Sequence, residues 1–287
     1  MRSSGSSTTP SGVGERVRRV AVITHGRAGQ IGEGLSCLER VAGEEHVELV
    51  FDPEEAAKHG RAASASGEVG LAVVLGGDGT MLRALQRYLG SDVPVLGANF
   101  GRVGFLSSIA RDGLEDGLRR ALRGDYEVVD LSTVEVRVGD GRFVGVNDVV
   151  VTSAELGRMV ELGWAVGGED LGRVPCDGLV CSTPSGSTAY NLSNGGPVLV
   201  WGLDAMALTF VAPHSLHARP LVVPRGRDVV IRNATAGISC AVLVDGHRVG
   251  DATPGAEVAI ALGERRARLA MLSGVTFLSR YRNSFAS

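Results

Sequence analysis

The chain has 287 residues, of which 44% are apolar, and a formal net charge of −3 at pH 7. That length suits one large domain or two moderate ones with real cores, and the charge argues against general nucleic-acid binding through phosphates. No apolar run approaches the ~18 residues of a membrane span and the N-terminus lacks an apolar signal core, so the sequence reads as a cytoplasmic protein with neither a membrane nor a nucleic-acid partner.

Residues 1–17, mostly Ser, Thr, Gly and Pro, read as a disordered tail. A β-branched strand follows at 19–24, then the Gly-rich stretch HGRAGQIG and a helix to about residue 42. Further strands are expected at 46–51, 70–75 and 93–98, and helices at 81–89 and 113–123. Alternation of helices with nearly all-apolar strands predicts a parallel sheet covered on both faces. The pattern changes near Gly124. Short strands then succeed one another at 127–138, 142–152, 160–166, 179–182, 207–211, 228–232, 239–244 and 257–262, which predicts an antiparallel, mostly β second domain. No internal repeat is visible, and the linker is not proline-rich, so the two domains are expected to pack closely.

Glycine accounts for 41 residues, about twice the average share, which predicts many turns or backbone that approaches something closely. Cys37, Cys176, Cys181 and Cys240 form no CxxC pair and have no histidine at metal spacing, so they read as buried thiols in a reducing compartment.

Four stretches carry chemistry. The first is GGDGT, Gly76, Gly77, Asp78, Gly79 and Thr80, between the third strand and its helix. In open α/β sheets ligands bind beyond the C-terminal strand ends. There the glycines let N–H groups approach an anion and the helix dipole favours it. A carboxylate in such a loop implies an intervening metal or an acid that does chemistry; the alternative is a tight turn with Asp or Thr capping the helix. Neither GxxxxGK[ST] nor GxGxxG spacing is present. The second is GVNDVVV, where Asn147 and Asp148 interrupt an apolar strand, a costly placement unless satisfied, or else one that ends the strand with a turn. The third is CDGLVCSTPSGSTAYNLSNGGPV, residues 176–198. Its small residues allow a ligand to lie on backbone, Tyr190 offers a ring face for stacking a base, and the hydroxyls offer directional hydrogen bonds. The fourth is PHSLHARPLVVP, residues 213–224.

In this order GGDGT followed by LRA, the Asn-acid pair, STPSGSTAYNLSNGGPV and PHSL…RP closely resemble bacterial NAD kinases, over about residues 20–244. GGDGT alone is shared with lipid kinases and, loosely, with phosphofructokinases; the long third segment is far more specific. The resemblance implies an α/β Rossmann-like N-terminal domain at 18–124 and a mostly-β, sandwich-like, NAD-binding domain at 125–272. The active site is implied to lie between them, and the C-terminal segment 273–287 to return to the first domain. It implies transfer of a phosphoryl group from ATP, or inorganic polyphosphate, to the 2′-hydroxyl of the adenosine ribose of NAD. A homodimer or homotetramer is implied, as is Mg²⁺ or another divalent cation with unassigned ligands. Position by position, Asp78 matches the catalytic base and Gly79 lies beside the adenosine. Asn147 matches an adenine contact, Asp148 the acid beside the ribose, and Asp177 the acid facing the nicotinamide half. Thr188, Ala189, Tyr190, Ser193 and Phe105 match the adenine pocket. Asp245 falls in a late strand that also reaches the site.

Three departures stand out. The family usually has Asn-Glu at 147–148, TPTGSTAY where this chain has Ser185, and SAGGP where it has Asn194. The first and third permit a specialised relative acting on another adenosine-bearing nucleotide or nucleoside. A lipid kinase would not need the third segment, a non-catalytic sensor would lose Asp78, and an NAD-dependent dehydrogenase would need the absent GxGxxG turn.

Overall fold

The computed structural model describes residues 16–25, 28–65, 67–100 and 104–285. The predicted tail lies outside them, apart from Arg16 and Val17. Val17 is buried against the core and its N–H donates to the Leu122 carbonyl, so this residue belongs to the folded unit rather than to the expected tail.

In chain order the first elements are β1 (Arg19–Thr24), α1 (Ala28–Glu44), β2 (Glu48–Val50), α2 (Pro53–Lys58), β3 (Leu71–Gly76), α3 (Asp78–Arg87), β4 (Val95–Asn99) and α4 (Leu114–Leu122). The strands β5 (Tyr126–Val138), β6 (Gly141–Gly145), β7 (Asp148–Ser153), β8 (Val160–Val166), β9 (Glu169–Cys176) and β10 (Gly178–Ser182) follow. Then come a 3-10 turn (Gly186–Thr188), α5 (Tyr190–Ser193), β11 (Ala205–Val211), β12 (Leu221–Pro224), β13 (Val229–Asn233), β14 (Cys240–Val244), β15 (His247–Ala252), β16 (Glu257–Leu272) and α6 (Phe277–Phe285). The chain divides into two compact units, Met1–Asp130 with Ala267–Ser287, and Leu131–Arg266.

In the first unit β2, β1, β3 and β4 are parallel neighbours, and Leu269 and Ala270 of β16 pair in parallel with Val95 and Leu96 of β4. All six residues of β3 are buried, as expected of a strand covered on both faces. Ile31, Leu35, Leu38, Val41 and Ala42 recur at helical spacing on α1, and Leu114, Leu118, Ala121 and Leu122 on α4. They share one core with Val20, Val22, Leu71, Val73 and Leu75.

The second unit is antiparallel. One sheet runs β12-β11-β10-β7-β14-β15, and the first part of β16 pairs with β13, then β8, then β9. Inward residues of both sets, among them Val149, Val151, Leu179, Cys181, Leu208, Ile231 and Val258, form a single core.

β9, β12 and β15 were not legible in the sequence. β9 and β12 end their sheets and are mostly exposed, and β15 alternates few apolar residues, so none carries a two-residue apolar period. β16 runs ten residues beyond the expected end at 262, through the charged GERRAR stretch. There Ala267 and Leu269 stay buried between outward arginines. Among the described residues no helix is long and apolar enough to cross a membrane.

Candidate functional site

In the first unit the constellation is built on GGDGT. β3 ends on Gly76, Gly77 is the extended N-cap of α3, and Asp78 is the first helical residue, three positions earlier than expected. No side chain caps the helix, so the capping reading of Asp78 and Thr80 does not hold. Thr80 is buried with its side chain against Gly76, whereas Gly79 is exposed with open space where a side chain would project. The Asp78 carboxylate is held by another segment: the Phe105 N–H donates to Oδ2 at 2.9 Å and the Leu106 N–H to Oδ1 at 3.2 Å. A Cβ on Gly104 would stand 2.1 Å from Asp78 Oδ1, so only glycine lets this segment close on the acid. Each carboxylate oxygen keeps a lone pair uncommitted to these bonds, so the group is oriented yet able to accept a further proton. Phe105 is buried, with its ring 5.5 Å from Phe285 and 5.9 Å from Phe277.

In the second unit the expected strand 142–152 splits into β6 and β7, with a bend at Val146-Asn147. Asp245 causes it. Its carboxylate accepts from the N–H groups of Val146 at 2.8 Å, Asn147 at 2.7 Å and Asp148 at 3.1 Å. Asp245 itself lies in the β14–β15 hairpin turn, not in a strand. Asp245 and Gly246 both have positive φ, +47° and +80°, as an Asp-Gly turn requires. From the other side Thr183 Oγ1 donates to the Val146 carbonyl at 2.6 Å and Ser185 Oγ to the same carbonyl at 3.0 Å, while the Thr183 N–H donates to the Asn147 carbonyl at 2.8 Å. A Cβ on Gly186 would meet the Asn147 carbonyl oxygen at 2.1 Å. The bend is thus satisfied in both N–H and C=O groups and leaves the Asn147 side chain for something else. Its Oδ1 is buried with no hydrogen-bond partner among the described residues.

β7 and β10 are paired with Asp148 opposite Ser182, which brings the 3-10 turn and α5 next to the Asn147–Asp148 bend in the chain path. Thr188 and Ala189 are half-buried, Ser193 is exposed, and Tyr190 is 45% exposed, too open for a core tyrosine. Asp177 is not brought to this cluster. It precedes β10, whose Gly178 pairs with Thr152, so it lies at the opposite end of the strand from Ser182, roughly 17 Å away along an extended chain.

The buried hydroxyls of Thr183, Ser185 and Ser187 serve the fold. Thr183 and Ser185 are turned onto the bend, and Ser187 Oγ donates to the Pro184 carbonyl at 2.7 Å. Asn191, which is fully buried, ties Ser187 and Pro197 through Nδ2 and accepts from Thr209 at 2.7 Å. Asn194 donates back to the Tyr190 carbonyl at 2.8 Å, so it closes α5 rather than presenting an amide to a ligand. Thr183 and Ser185 build the bend from 37 and 39 positions away in the chain, and only the hydroxyl-rich composition of residues 182–193 hinted at them.

Asp148 is 6% exposed, and burial first, then the Asp245 carboxylate, pushes its pKa up from 3.8 to about 7. The Cys181 thiol, buried beside it, is pushed up as well. Between those two values the unfolded chain has lost a proton that the native chain keeps, so stability falls as pH rises from about 4 to about 7. Asp148→Asn, which mimics the protonated acid, should therefore melt higher than wild type at pH 8, by up to roughly 4 kcal/mol, with the difference vanishing near pH 4. Thermal melts of the ligand-free protein across that range check it; a constant difference would show that Asp148 does not titrate there.

An acid oriented in a glycine-rich strand–helix turn, on an α/β unit accompanied by an antiparallel β unit, is the setting of a phosphoryl-transferring enzyme. The same architecture is found in the crystal structure of yeast NADH kinase complexed with NADH, at a TM-score of 0.81 and 21% identity over 95% of this chain and 88% of that one. An NAD kinase from Archaeoglobus fulgidus in complex with ATP superposes with a TM-score of 0.73 and 27% identity, covering 93% and 97%. The ATP-NAD kinase N-terminal domain description matches residues 34–126, and its C-terminal counterpart residues 146–272. The NAD kinase of Gemmatimonas aurantiaca is 38% identical over 82% of this chain and 84% of its own length, and that of Leifsonia xyli 36% identical over 93% and 94%. The chain belongs to the NAD kinase family.

Proposed function

We propose that the protein transfers the terminal phosphoryl group of ATP to the 2′-hydroxyl of the adenosine ribose of NAD, giving NADP. The observation that carries this reading is the Asp78 carboxylate, fixed through both oxygens at the N-terminus of α3. A secondary hydroxyl is a poor nucleophile, and a carboxylate does not ionise it outright in the ground state. Asp78 orients the hydroxyl and takes its proton as the new P–O bond forms. Gly77 and Gly79 have open space where side chains would project, and with the Thr80 N–H taken by the Gly77 carbonyl at 2.9 Å it is the Asp78 and Gly79 N–H groups that are offered to phosphate oxygens.

In the second unit Asn147 Oδ1, buried and unpaired, suits an exocyclic amine such as that of adenine, and the exposed ring of Tyr190 suits its face. Asp148, protonated up to about pH 7, is able to donate to a ribose oxygen below that pH and to accept from one above it. The division of labour proposed is phosphoryl transfer on the first unit and dinucleotide recognition on the second. Thr188, Ala189 and Ser193 line the adenine side, while Asp177 serves a more distant part of the dinucleotide.

Phosphoryl transfer from ATP calls for a divalent cation such as Mg²⁺. Among the described residues no group of three or more His, Cys, Asp or Glu could hold one. A resident protein cage is therefore not part of the proposal; donor phosphates and water are the fitting ligands. A homodimer or homotetramer is part of it.

Acceptor competition tests the reading. With ATP as donor, NAD should be preferred over NADH, free adenosine nucleotides and lipid; preference for one of the others would reassign the acceptor. Tyr190→Ala should weaken NAD binding by about 1–3 kcal/mol while leaving the melting temperature within a few degrees, because the ring is half-exposed. Titration calorimetry and melting on one preparation separate the two effects; a large drop in melting temperature with unchanged affinity would make Tyr190 a packing residue.

A further inference from the structure

Arg280 of α6 takes no part in the chemistry above, yet it closes the cradle of Asp78 from behind. Its guanidinium donates from Nη1 to the Gly104 carbonyl at 3.1 Å and from Nη2 to the Ser107 carbonyl. Those carbonyls bracket the Phe105 and Leu106 N–H groups that hold the Asp78 carboxylate. The Gly104 carbonyl and the Phe105 N–H belong to one peptide plane, with a cation on its oxygen and a carboxylate on its hydrogen. Such a plane is polarised in one direction, each bond strengthening the other, and any rotation of it loses both. The same helix fixes the neighbouring side chain, since Phe277 and Phe285 are the rings packed on Phe105.

Burial draws the guanidinium down to about 10 while the Asp78 charge pushes it up, so it is a cation at neutral pH. Nη1 and Nη2 each commit a hydrogen to a loop carbonyl, and Nε is buried without a partner among the described residues, so the contacts the guanidinium makes through hydrogen bonds are to the loop backbone.

We propose that Arg280 is the positioning residue of the phosphoryl-transfer loop. It fixes the Gly104–Phe105 peptide, and through it the Asp78 carboxylate, without touching substrate. The kinetic consequence rests on the function proposed above; the structural consequence does not.

Two measurements on the full chain test it, with Arg280→Met and Arg280→Lys beside wild type. In hydrogen exchange, the Phe105 and Leu106 amides should exchange at least about 10-fold faster in Arg280→Met, with β1 and β3 unchanged. Arg280→Lys, whose ammonium cannot span both carbonyls, should fall between. In turnover, kcat should drop about 10–100-fold with KM for NAD and ATP within about 3-fold, as a misplaced reacting group predicts. In an Asp78→Asn background the same substitution should cost nothing further in kcat, because it acts through Asp78. Unchanged protection of Phe105 and Leu106 in both variants overturns the proposal whatever the activity. So does full multiplication of the two kcat losses, which would make Arg280 independent of Asp78. A wild type that forms no NADP overturns the function, and the exchange result then decides Arg280 alone. Should Arg280→Met not fold, Arg280→Lys carries both measurements.

Discussion

Asp78→Asn is expected to lower kcat by about 10²–10⁴ while NAD and ATP still bind, the range for loss of a positioned acid–base group. Two effects combine. The amide cannot take the 2′-hydroxyl proton, and its NH₂ must face either the Phe105 or the Leu106 N–H, where Oδ2 and Oδ1 now accept at 2.9 and 3.2 Å. One donor is then left opposing another, so a modest fall in melting temperature should accompany the kinetic loss. Steady-state kinetics with calorimetric binding of NAD separate the two. Turnover within a factor of about 3 of wild type would remove Asp78 from the chemistry.

The second large effect is expected at Asp245, which shapes the recognition bend. Asp245→Ala strips the acceptor from three backbone N–H groups, those of Val146, Asn147 and Asp148. At about 1 kcal/mol or more for each donor left unsatisfied, the cost should reach roughly 3 kcal/mol. The bend that aims Asn147 should relax with it, raising KM for NAD about 10-fold or more. Asp245→Asn keeps Oδ1 for Asn147 and Asp148 but turns its NH₂ on Val146, so it should lie between. An alanine variant with wild-type melting temperature and wild-type KM would mean that the bend holds without its clamp. Asp245 would then be a ligand contact or a bystander.

Residues whose environment is local were legible in the sequence. β1, β3 and β4 announce themselves as apolar runs that can lie only inside a two-sided sheet, and glycines followed by an acid at the end of β3 mark the ligand edge. Asn147 and Asp148 were legible as an anomaly but not as a structure: the acid that bends the chain there is 98 residues away from Asn147. It sits in an Asp-Gly turn whose sequence reads simply as a hairpin. Arg280 left no local signal, because its partners, Gly104 and Ser107, precede it by 176 and 173 positions. The hydroxyls of Thr183, Ser185 and Ser187 misled for the opposite reason. A cluster of small donors is what a ligand pocket needs, and also what a buried, sharply folded turn needs to satisfy its own carbonyls. Only the direction of each hydroxyl distinguishes the two, and composition carries no direction.

The central claim is 2′-phosphorylation of NAD at a loop organised around Asp78. It is tested most directly by incubating the purified protein with ATP, a divalent cation and NAD. The product is then read twice, by an NADP-specific dehydrogenase and by phosphorus NMR. The account predicts NADP carrying a 2′-phosphate, formed together with ADP and almost abolished in Asp78→Asn. A product phosphorylated at another position, or NADP formed equally well by Asp78→Asn, would contradict it.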